Sequence, residues 1–258
     1  MTPSAAPEST ARPRAAARPA RLFAQGRFET LTLLRNGEQL LVSVVLPAMA
    51  LVGLTLSPYP ALGDVHRIDV TAPGVLALAV ASTAFTGQAI STAFDRRYGV
   101  LRMYGVSPLG RSGLLMGKLI AVGAVLLVQV LLLGGLALAL GWRPQLVGIP
   151  AALVAGVLGT TAFLGLGLLI AGTLRAEAVL ALANLAWVLF LGLGLLLPVT
   201  TLPTWAEPLA SALLSGALGE AMRGALAHGT WSWGALGVLL AWSAACWALA
   251  GRLFRWAP

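Results

Sequence analysis

Residues 114–140 read LLMGKLIAVGAVLLVQVLLLGGLALAL, a run of 27 residues in which Lys118 is the only charged side chain. A helix needs about 20 mainly apolar residues to cross the hydrocarbon core of a bilayer. This stretch exceeds that length, and its one charge lies near its beginning. It therefore predicts a membrane-spanning helix.

Further stretches of similar character occur on both sides of this run. They predict an all-α integral membrane protein with six transmembrane helices. Residues 1–20 are predicted to form a disordered cytoplasmic tail, and residues 21–258 form one membrane domain. The other five predicted spans are residues 39–57, 73–94, 149–172, 178–197 and 234–253.

The composition of the whole chain agrees with a membrane protein. Hydrophobic residues make up 58% of the 258 residues, charged residues only 10%, and the mean hydropathy is +0.87. Soluble domains carry about 25% charged residues. A soluble domain, a disordered chain and a nucleic-acid binder are therefore disfavoured, despite the net charge of +8. The single cysteine, Cys246, excludes a disulfide framework.

Residues 198–233 do not read as a seventh span. The run from Trp205 to Ala227 contains Glu207, Glu220 and Arg223, and charges at the centre of a span are costly. We expect short re-entrant or interfacial helices on the outer side instead. With six spans, 14 of the 17 basic residues lie on one side and 3 on the other. The positive-inside rule then places both termini in the cytoplasm.

No Asp, Glu, Lys or Arg occupies the middle of a predicted span, which disfavours an ion-coupled transporter. The polar residues within the spans have two interpretations. They form hydrogen bonds between helices, or they line a translocation path, with the hydroxyl-rich second span as its wall. The candidates for such a path are Ser82, Thr83, Thr86, Gln88, Gln129 and Asn184.

The sequence predicts no catalytic, metal or cofactor site. His66 and His228 fall in predicted outer loops without a cysteine nearby. Gly117-Lys118 resembles part of a P-loop, but Ser112 and Leu119 replace the glycine and the Ser/Thr that the motif requires. An energy source must therefore come from another polypeptide.

Two alternatives to transport stay open. A membrane enzyme acting on lipids would need clustered acid–base residues, for which the nearest candidates are His66, Asp64 and Asp69. A non-catalytic membrane scaffold would need only binding surfaces.

Two segments on the inner side are candidates for binding a partner. Residues 21–38 predict an amphipathic helix at the membrane interface, for which simple anchoring is an equal explanation. Residues 95–113 read DRRYGVLRMYGVSPLGRSG and predict a short helix at about 96–104. Their arginines alone are also explained by topology or by contact with anionic lipids.

The chain resembles the ABC-2 type transporter permeases over most of its length, from about residue 22 onward. The resemblance rests on the order and spacing of several motifs. These are Leu34-Arg35-Asn36, Phe94-Asp95-Arg96-Arg97-Tyr98-Gly99-Val100-Leu101-Arg102, Ser107-Pro108-Leu109, Gly117-Lys118-Leu119, Leu202-Pro203 with Trp205, and Glu220-Ala221-Met222-Arg223-Gly224.

The resemblance implies the permease of an ABC exporter of the plasma membrane, moving a hydrophobic or amphipathic drug or lipid, as in efflux and antibiotic resistance. It implies that the chain forms a dimer with a second permease protomer and contacts membrane lipids. It also implies cytoplasmic ABC ATPase subunits, which bind ATP and Mg²⁺. The ATPase-docking candidates are Arg27, Glu29, Arg35, Asp95, Arg96, Arg97, Tyr98 and Arg102, and the outer-gate candidates are Trp205, Glu220 and Arg223.

The chain departs from the family pattern at three places. Asp95 stands where Glu is commoner, Val100 where Thr is common, and residues 214–219 lack the usual proline–aromatic run. The first two changes lie in the segment 95–113 that the resemblance assigns to ATPase docking, and the third removes any inference about the substrate from the outer gate.

Overall fold

A computed structural model describes residues 17–35, 37, 41–58, 66–106 and 110–254. These residues are almost entirely helical, and no strand occurs among them, which confirms the all-α class. The helices are α1 (Arg18–Arg35), α2 (Leu46–Leu56), α3 (Arg67–Arg97), α4 (Val100–Val106), α5 (Gly110–Ala139), α6 (Ile149–Thr173), α7 (Ala176–Phe190), α8 (Glu207–Ala212), α9 (Leu214–His228) and α10 (Trp233–Leu253).

Five helical segments are long and apolar enough to cross a membrane. They contain α3, α5, α6, α7 and α10, and they match the predicted second to sixth spans to within a few residues. The predicted first span, 39–57, lies partly outside the described residues. Its described apolar helix, Ser43–Leu56, is shorter than a full span, so the count of six stays a prediction.

Helix α3 forms the centre of the bundle. Every residue from Thr71 to Ala89 is buried, and the helix packs against α5, α6, α7 and α9. The segment is rich in Ala, Gly, Ser and Thr, whose small side chains allow neighbouring helices to approach closely. Its hydroxyl groups are expected at the centre because an unsatisfied polar group facing lipid is costly. At Ser82–Gly87 the helix widens into a π-helical turn.

Helix α1 packs along the first half of α5, at the end of the bundle where α3 terminates. We call this the basic end, defined by Arg96, Arg97 and Lys118. Two glycines allow α1 and α5 to approach each other closely. A Cβ atom at Gly26 would lie 2.7 Å from Ile120, and one at Gly117 would lie 2.5 Å from Gln25.

The segment after α3 differs in detail from the sequence prediction. A single short helix was expected at about 96–104, but α3 continues to Arg97, and a turn at Tyr98-Gly99 separates it from α4. The positive φ of Gly99, +75°, allows this turn. Residues 107–109, which contain the Ser107-Pro108-Leu109 motif, lie outside the described residues.

At the opposite end of the bundle, α7 loses its regular geometry at Leu191–Leu195. Gly194 has φ +85°, a conformation that favours glycine, and Leu193 also leaves the helical region. The chain then forms α8 and α9. One face of α9 is buried against α3, α6 and the irregular end of α7. Its insertion into the membrane, as a re-entrant helix, stays a prediction.

Candidate functional site

A buried charge cluster connects three helices at the basic end. The Nζ atom of Lys118 on α5 lies 3.5 Å from Oδ2 of Asp95 on α3 and 3.7 Å from Oε2 of Glu29 on α1. Only 1% of the Lys118 side chain is exposed. We call these three residues the Lys118 cluster. A buried ammonium group is tolerated only when it is paired, so the two carboxylates explain how this lysine enters the bundle.

A fourth side chain orients the cluster from α1. Gln25 Nε2 donates a hydrogen bond of 3.0 Å to Oε1 of Glu29, one turn further along the helix. The Glu29 carboxylate therefore has one oxygen toward Gln25 and the other toward Lys118. This arrangement fixes α1 to α5 by polar contacts in addition to the glycine contacts.

This role of Lys118 was not predicted from the sequence, where the residue belonged to an incomplete P-loop, to the basic charge of the inner side and to the Gly117-Lys118-Leu119 motif. One available signal was its position inside an otherwise apolar run, because such charges usually have a partner within the bundle. Its two partners were unpredictable from spacing, since Glu29 and Asp95 lie 89 and 23 residues away in the sequence.

Two adjacent arginines join the end of α3 to the connection between α6 and α7. Arg96 is 8% exposed and donates to the carbonyl oxygen of Leu174. Arg97 pairs with Glu177 at the start of α7, and its guanidinium lies 5.8 Å from the centre of the Tyr98 ring. Both residues therefore have structural partners within the chain.

The eight docking candidates thus divide into two groups by exposure. Glu29, Asp95 and Arg96 make contacts inside the bundle and are partly or fully buried. The others are exposed at the basic end, and docking itself stays a prediction for all eight. The exposed candidates are Arg27, Arg35, Arg97, Tyr98 and Arg102.

Polar side chains near the middle of the bundle bond mainly to other helices. Thr83 Oγ1 donates to Gln129 Oε1 at 3.0 Å, and Gln129 Nε2 donates to the carbonyl oxygen of Ser43 at 2.9 Å. Trp187 Nε1 donates to Ser82 Oγ at 2.8 Å. These bonds connect α3 with α5, α7 and the turn before α2, as the hydrogen-bonding interpretation expects.

The remaining path candidates do not join this network. Thr86 and Gln88 are buried on α3, at 5% and 1% exposure. Asn184 lies on an exposed face of α7. The structure therefore does not bring the six candidates together within one chain, and their role in a path stays a prediction.

At the opposite end, Arg223 of α9 binds the irregular end of α7. Its Nη2 atom donates to Gly194 O at 2.7 Å and its Nη1 atom to Leu195 O at 3.2 Å. Ser215 Oγ donates to Leu193 O at 2.9 Å. Carbonyls released by the break in α7 thus find donors on α9, which satisfies buried backbone acceptors.

Charge and burial alter the acid–base properties of this region. Burial lowers the pKa of Arg223 to about 10, against the opposing effect of Glu220, so the guanidinium stays charged at neutral pH. Burial raises the pKa of Glu220, Arg223 opposes this, and Glu207 adds to the rise. Each of these charges is therefore held at an energetic cost.

A polar cavity of about 990 Å³ opens beside these groups. Its lining includes Glu220 and Arg223 together with His66, Asp69 and His228. Trp205, the third outer-gate candidate, is 78% exposed and does not belong to this lining. The cavity therefore brings together two of the three predicted gate residues.

The candidates for enzymatic chemistry are sparse in the described part of the chain. His66 Nδ1 lies 3.6 Å from Asp69 Oδ2, while Asp64 lies outside the described residues. Within the described ranges, no three His, Cys, Asp or Glu residues are grouped to hold a metal ion.

Comparison with known proteins identifies the family. The model of the ABC-2 family transporter proteins matches residues 67–252, from the start of α3 nearly to the end of α10. No curated protein matches the chain. The matched region contains Asp95 and Lys118 but not α1. Because the match covers well over half of the sequence, the chain belongs to the ABC-2 family of transporter proteins, as a multi-pass membrane component of an ABC transporter.

Proposed function

We propose that this chain is the permease of an exporter that moves a hydrophobic or amphipathic compound, driven by ATP hydrolysis on a separate ATPase subunit. The Lys118 cluster carries the proposal. It connects α1, α3 and α5 at the end of the bundle that also presents the exposed arginines. The distribution of basic residues supports a cytoplasmic location for this end.

The cluster supplies a mechanical connection between a docking surface and the central helix. Asp95 lies two residues before the end of α3, and α4 follows immediately after the Tyr98-Gly99 turn. A displacement of α4 by a bound ATPase would act first on the end of α3. Because Lys118 joins that end to both α1 and α5, the three helices would move as a unit.

The exposed arginines at the basic end support docking of a partner with an acidic surface. Arg27 and Arg35 lie on α1, and Arg102 lies on α4. Their guanidinium groups suit bidentate contacts with carboxylates of a partner. Arg97 and Tyr98 lie between these two helices in sequence and are also exposed. ATP binding would shift the permease only if the ATPase docks differently in its two states.

The translocation path is proposed to form between two copies of this chain. Within one protomer, Ser82, Thr83 and Gln129 are bonded to other helices, while Thr86 and Gln88 are buried within the bundle. The exposed amide of Asn184 on α7 would face the second copy. A path lined by such amides and by apolar surface suits an amphipathic compound.

The test combines purification with transport. An ATPase subunit should co-purify with this chain, and the complex in proteoliposomes should move a fluorescent amphipathic dye when ATP is added. Arg102→Glu should reduce ATP-dependent transport and permease-stimulated ATPase activity at least fivefold, with membrane insertion unchanged. A complex that lacks an ATPase, or transport without ATP, would refute the proposal.

Arg97 needs a more careful control because it pairs with Glu177 inside the chain. Arg97→Glu breaks that pair and also reverses a surface charge. The double variant Arg97→Glu/Glu177→Arg restores the pair with its charges exchanged. We expect coupling to stay impaired in the double variant. Full recovery would show that Arg97 acts only within the permease, which contradicts its assignment to docking.

A further inference from the structure

An apolar groove runs along the bundle between α5 and α6. The two helices follow one another in the chain, yet they diverge and leave a cavity of about 680 Å³, within the usual range for small-molecule sites. Its floor is formed by Leu76 and Val80 of α3 and by Met222 and Leu226 of α9.

Each wall of the groove is a single helical face. On α5 the lining residues are Leu119, Gly123, Leu126, Leu127, Val130 and Gly134, and α6 contributes a matching face from Ile149 to Thr161. Spacings of three and four residues place these positions in one line along each helix. From Leu119 to Gly134 the rise is about 22 Å. That length exceeds half of the bilayer core, about 15 Å.

Three glycines in the walls leave space that this protomer does not fill. Among the described residues, no atom would lie within 4 Å of a Cβ atom at Gly123, Gly134 or Gly156. These glycines therefore do not serve close helix packing within the chain, unlike Gly26 and Gly117. They widen the groove.

The end of the groove farthest from the basic end carries an unpaired donor, and a charged residue follows it in the chain. Trp142 lines this end and is 6% exposed, and its indole Nε1 is buried without a hydrogen-bond partner in the part of the chain that the structure describes. The next residue, Arg143, is exposed. An unpaired buried N–H is uncommon and costly, so this indole lacks an acceptor.

We propose that the groove binds a membrane phospholipid from the leaflet at this end of the bundle. An acyl chain fits the apolar walls. A rotation of the Trp142 side chain would turn its enclosed Nε1 toward the ester carbonyl, and the phosphate would bind Arg143 beside the groove. Tryptophan commonly lies at the depth of the headgroup boundary. A helix from a second copy matches less well, because its carbonyls are already used within the helix.

The site is independent of the proposed transport activity, and its test measures lipid rather than transport. The protein is purified, exchanged into nanodiscs of phosphatidylglycerol and phosphatidylcholine, and released for native mass spectrometry. We expect one retained phospholipid per protomer in the wild type. Gly134→Leu and Gly156→Leu fill open space and should reduce this retention at least fivefold.

Gly135→Leu is the matched control. Gly135 also has open space around it and lies on α5, but it does not line the groove. This variant should retain lipid as the wild type does. Equal retention by Gly134→Leu and Gly135→Leu, in folded protein, would overturn the proposal, as would a wild type that carries no lipid.

Two further variants test the polar end. Trp142→Phe keeps the ring but removes the N–H, and we expect lipid retention to fall about threefold to tenfold. Arg143→Gln should abolish any preference for anionic phosphatidylglycerol over phosphatidylcholine. A disulfide between two protomers carrying Gly134→Cys would show that a second copy occupies the groove, and would overturn the lipid assignment.

Discussion

The Nζ atom of Lys118 lies 3.5 Å from Oδ2 of Asp95, with the lysine side chain almost fully enclosed by the bundle. One residue belongs to the beginning of α5 and the other to the end of α3. Their pairing therefore determines how two membrane helices meet at the basic end. Glu29 extends the same contact to α1.

Replacing Lys118 by methionine should destabilise the protein strongly. The substitution leaves Asp95 and Glu29 beside each other without their cation. Removing one partner of a buried ion pair costs about 3–5 kcal/mol. We expect a clear fall in the melting temperature of the protein in nanodiscs.

A neutral version of the same cluster is the control for this variant. Lys118→Met combined with Asp95→Asn and Glu29→Gln removes all three charges and should recover most of the lost stability, because no charge stays uncompensated. A single Lys118→Met variant as stable as the wild type would contradict the cluster. If the triple variant folds but no longer couples ATP hydrolysis to transport, the three charges of the cluster are required for that coupling.

Replacing Arg223 should loosen the contact between α9 and the irregular end of α7. Arg223→Met removes the donors to Gly194 O and Leu195 O, so two buried carbonyls lose their partners. Hydrogen–deuterium exchange should rise at least tenfold across residues 191–196. Arg223→Lys keeps a donor and should show a smaller increase. Unchanged exchange in Arg223→Met would mean that α9 does not hold α7 through this residue.

The stability of the protein should depend on pH through Glu220. Burial raises its pKa in the folded protein above the ordinary value of 4.5. The folded state therefore binds this proton more tightly than the unfolded state, and its ionisation at higher pH destabilises the fold. Glu220→Gln should consequently melt at a higher temperature than the wild type at pH 7.

The difference between Glu220→Gln and the wild type should shrink as the pH falls through the raised pKa toward 4.5. Comparing the two proteins at each pH removes the contribution of the other carboxylates. A wild type more stable than Glu220→Gln at pH 7 would show that the attraction to Arg223 outweighs the burial of Glu220, opposite to the expected sign.

The predicted second to sixth spans match the helices well because membrane thickness fixes the length of apolar sequence that a span needs. Hydrogen bonding between helices was one of the two interpretations of the hydroxyl-rich second span, and Ser82 and Thr83 make such bonds. These properties belong to single segments. They can be read from local sequence.

Contacts between distant segments were not predictable in the same way. Lys118 and Asp95 lie in different predicted elements, and the packing of α3 against α5 brings them together. Gln129 and Asn184 are similar amides within predicted spans, yet one is buried and bonded while the other is exposed. Helical periodicity gives a face, but not the neighbour that covers it.

Gln129 should prove structural rather than substrate-binding. It connects Thr83 on α3 with the carbonyl of Ser43 through hydrogen bonds of 3.0 and 2.9 Å. In a double-mutant cycle, Gln129→Leu and Thr83→Val should show a coupling energy of about 0.6 kcal/mol, typical of such bonds in membranes. A change of substrate preference without any loss of stability would instead place Gln129 on the translocation path.

Asn184 should lie at the interface between two copies of the chain. It occupies an exposed face of α7 within a membrane-spanning segment, together with Ala181 and Val188 at helical spacing. An amide exposed to lipid would lack partners, whereas two such amides across a twofold axis can bond to each other. Asn184→Cys should therefore form a disulfide between protomers in nanodiscs.

The native Cys246 is buried and contributes little background. Leu185→Cys, an exposed position on the adjacent face of α7, should cross-link at least fivefold less. Equal cross-linking at both positions would indicate random collision. The absence of cross-linking at Asn184, in protein shown to be dimeric by mass, would move the interface to another face.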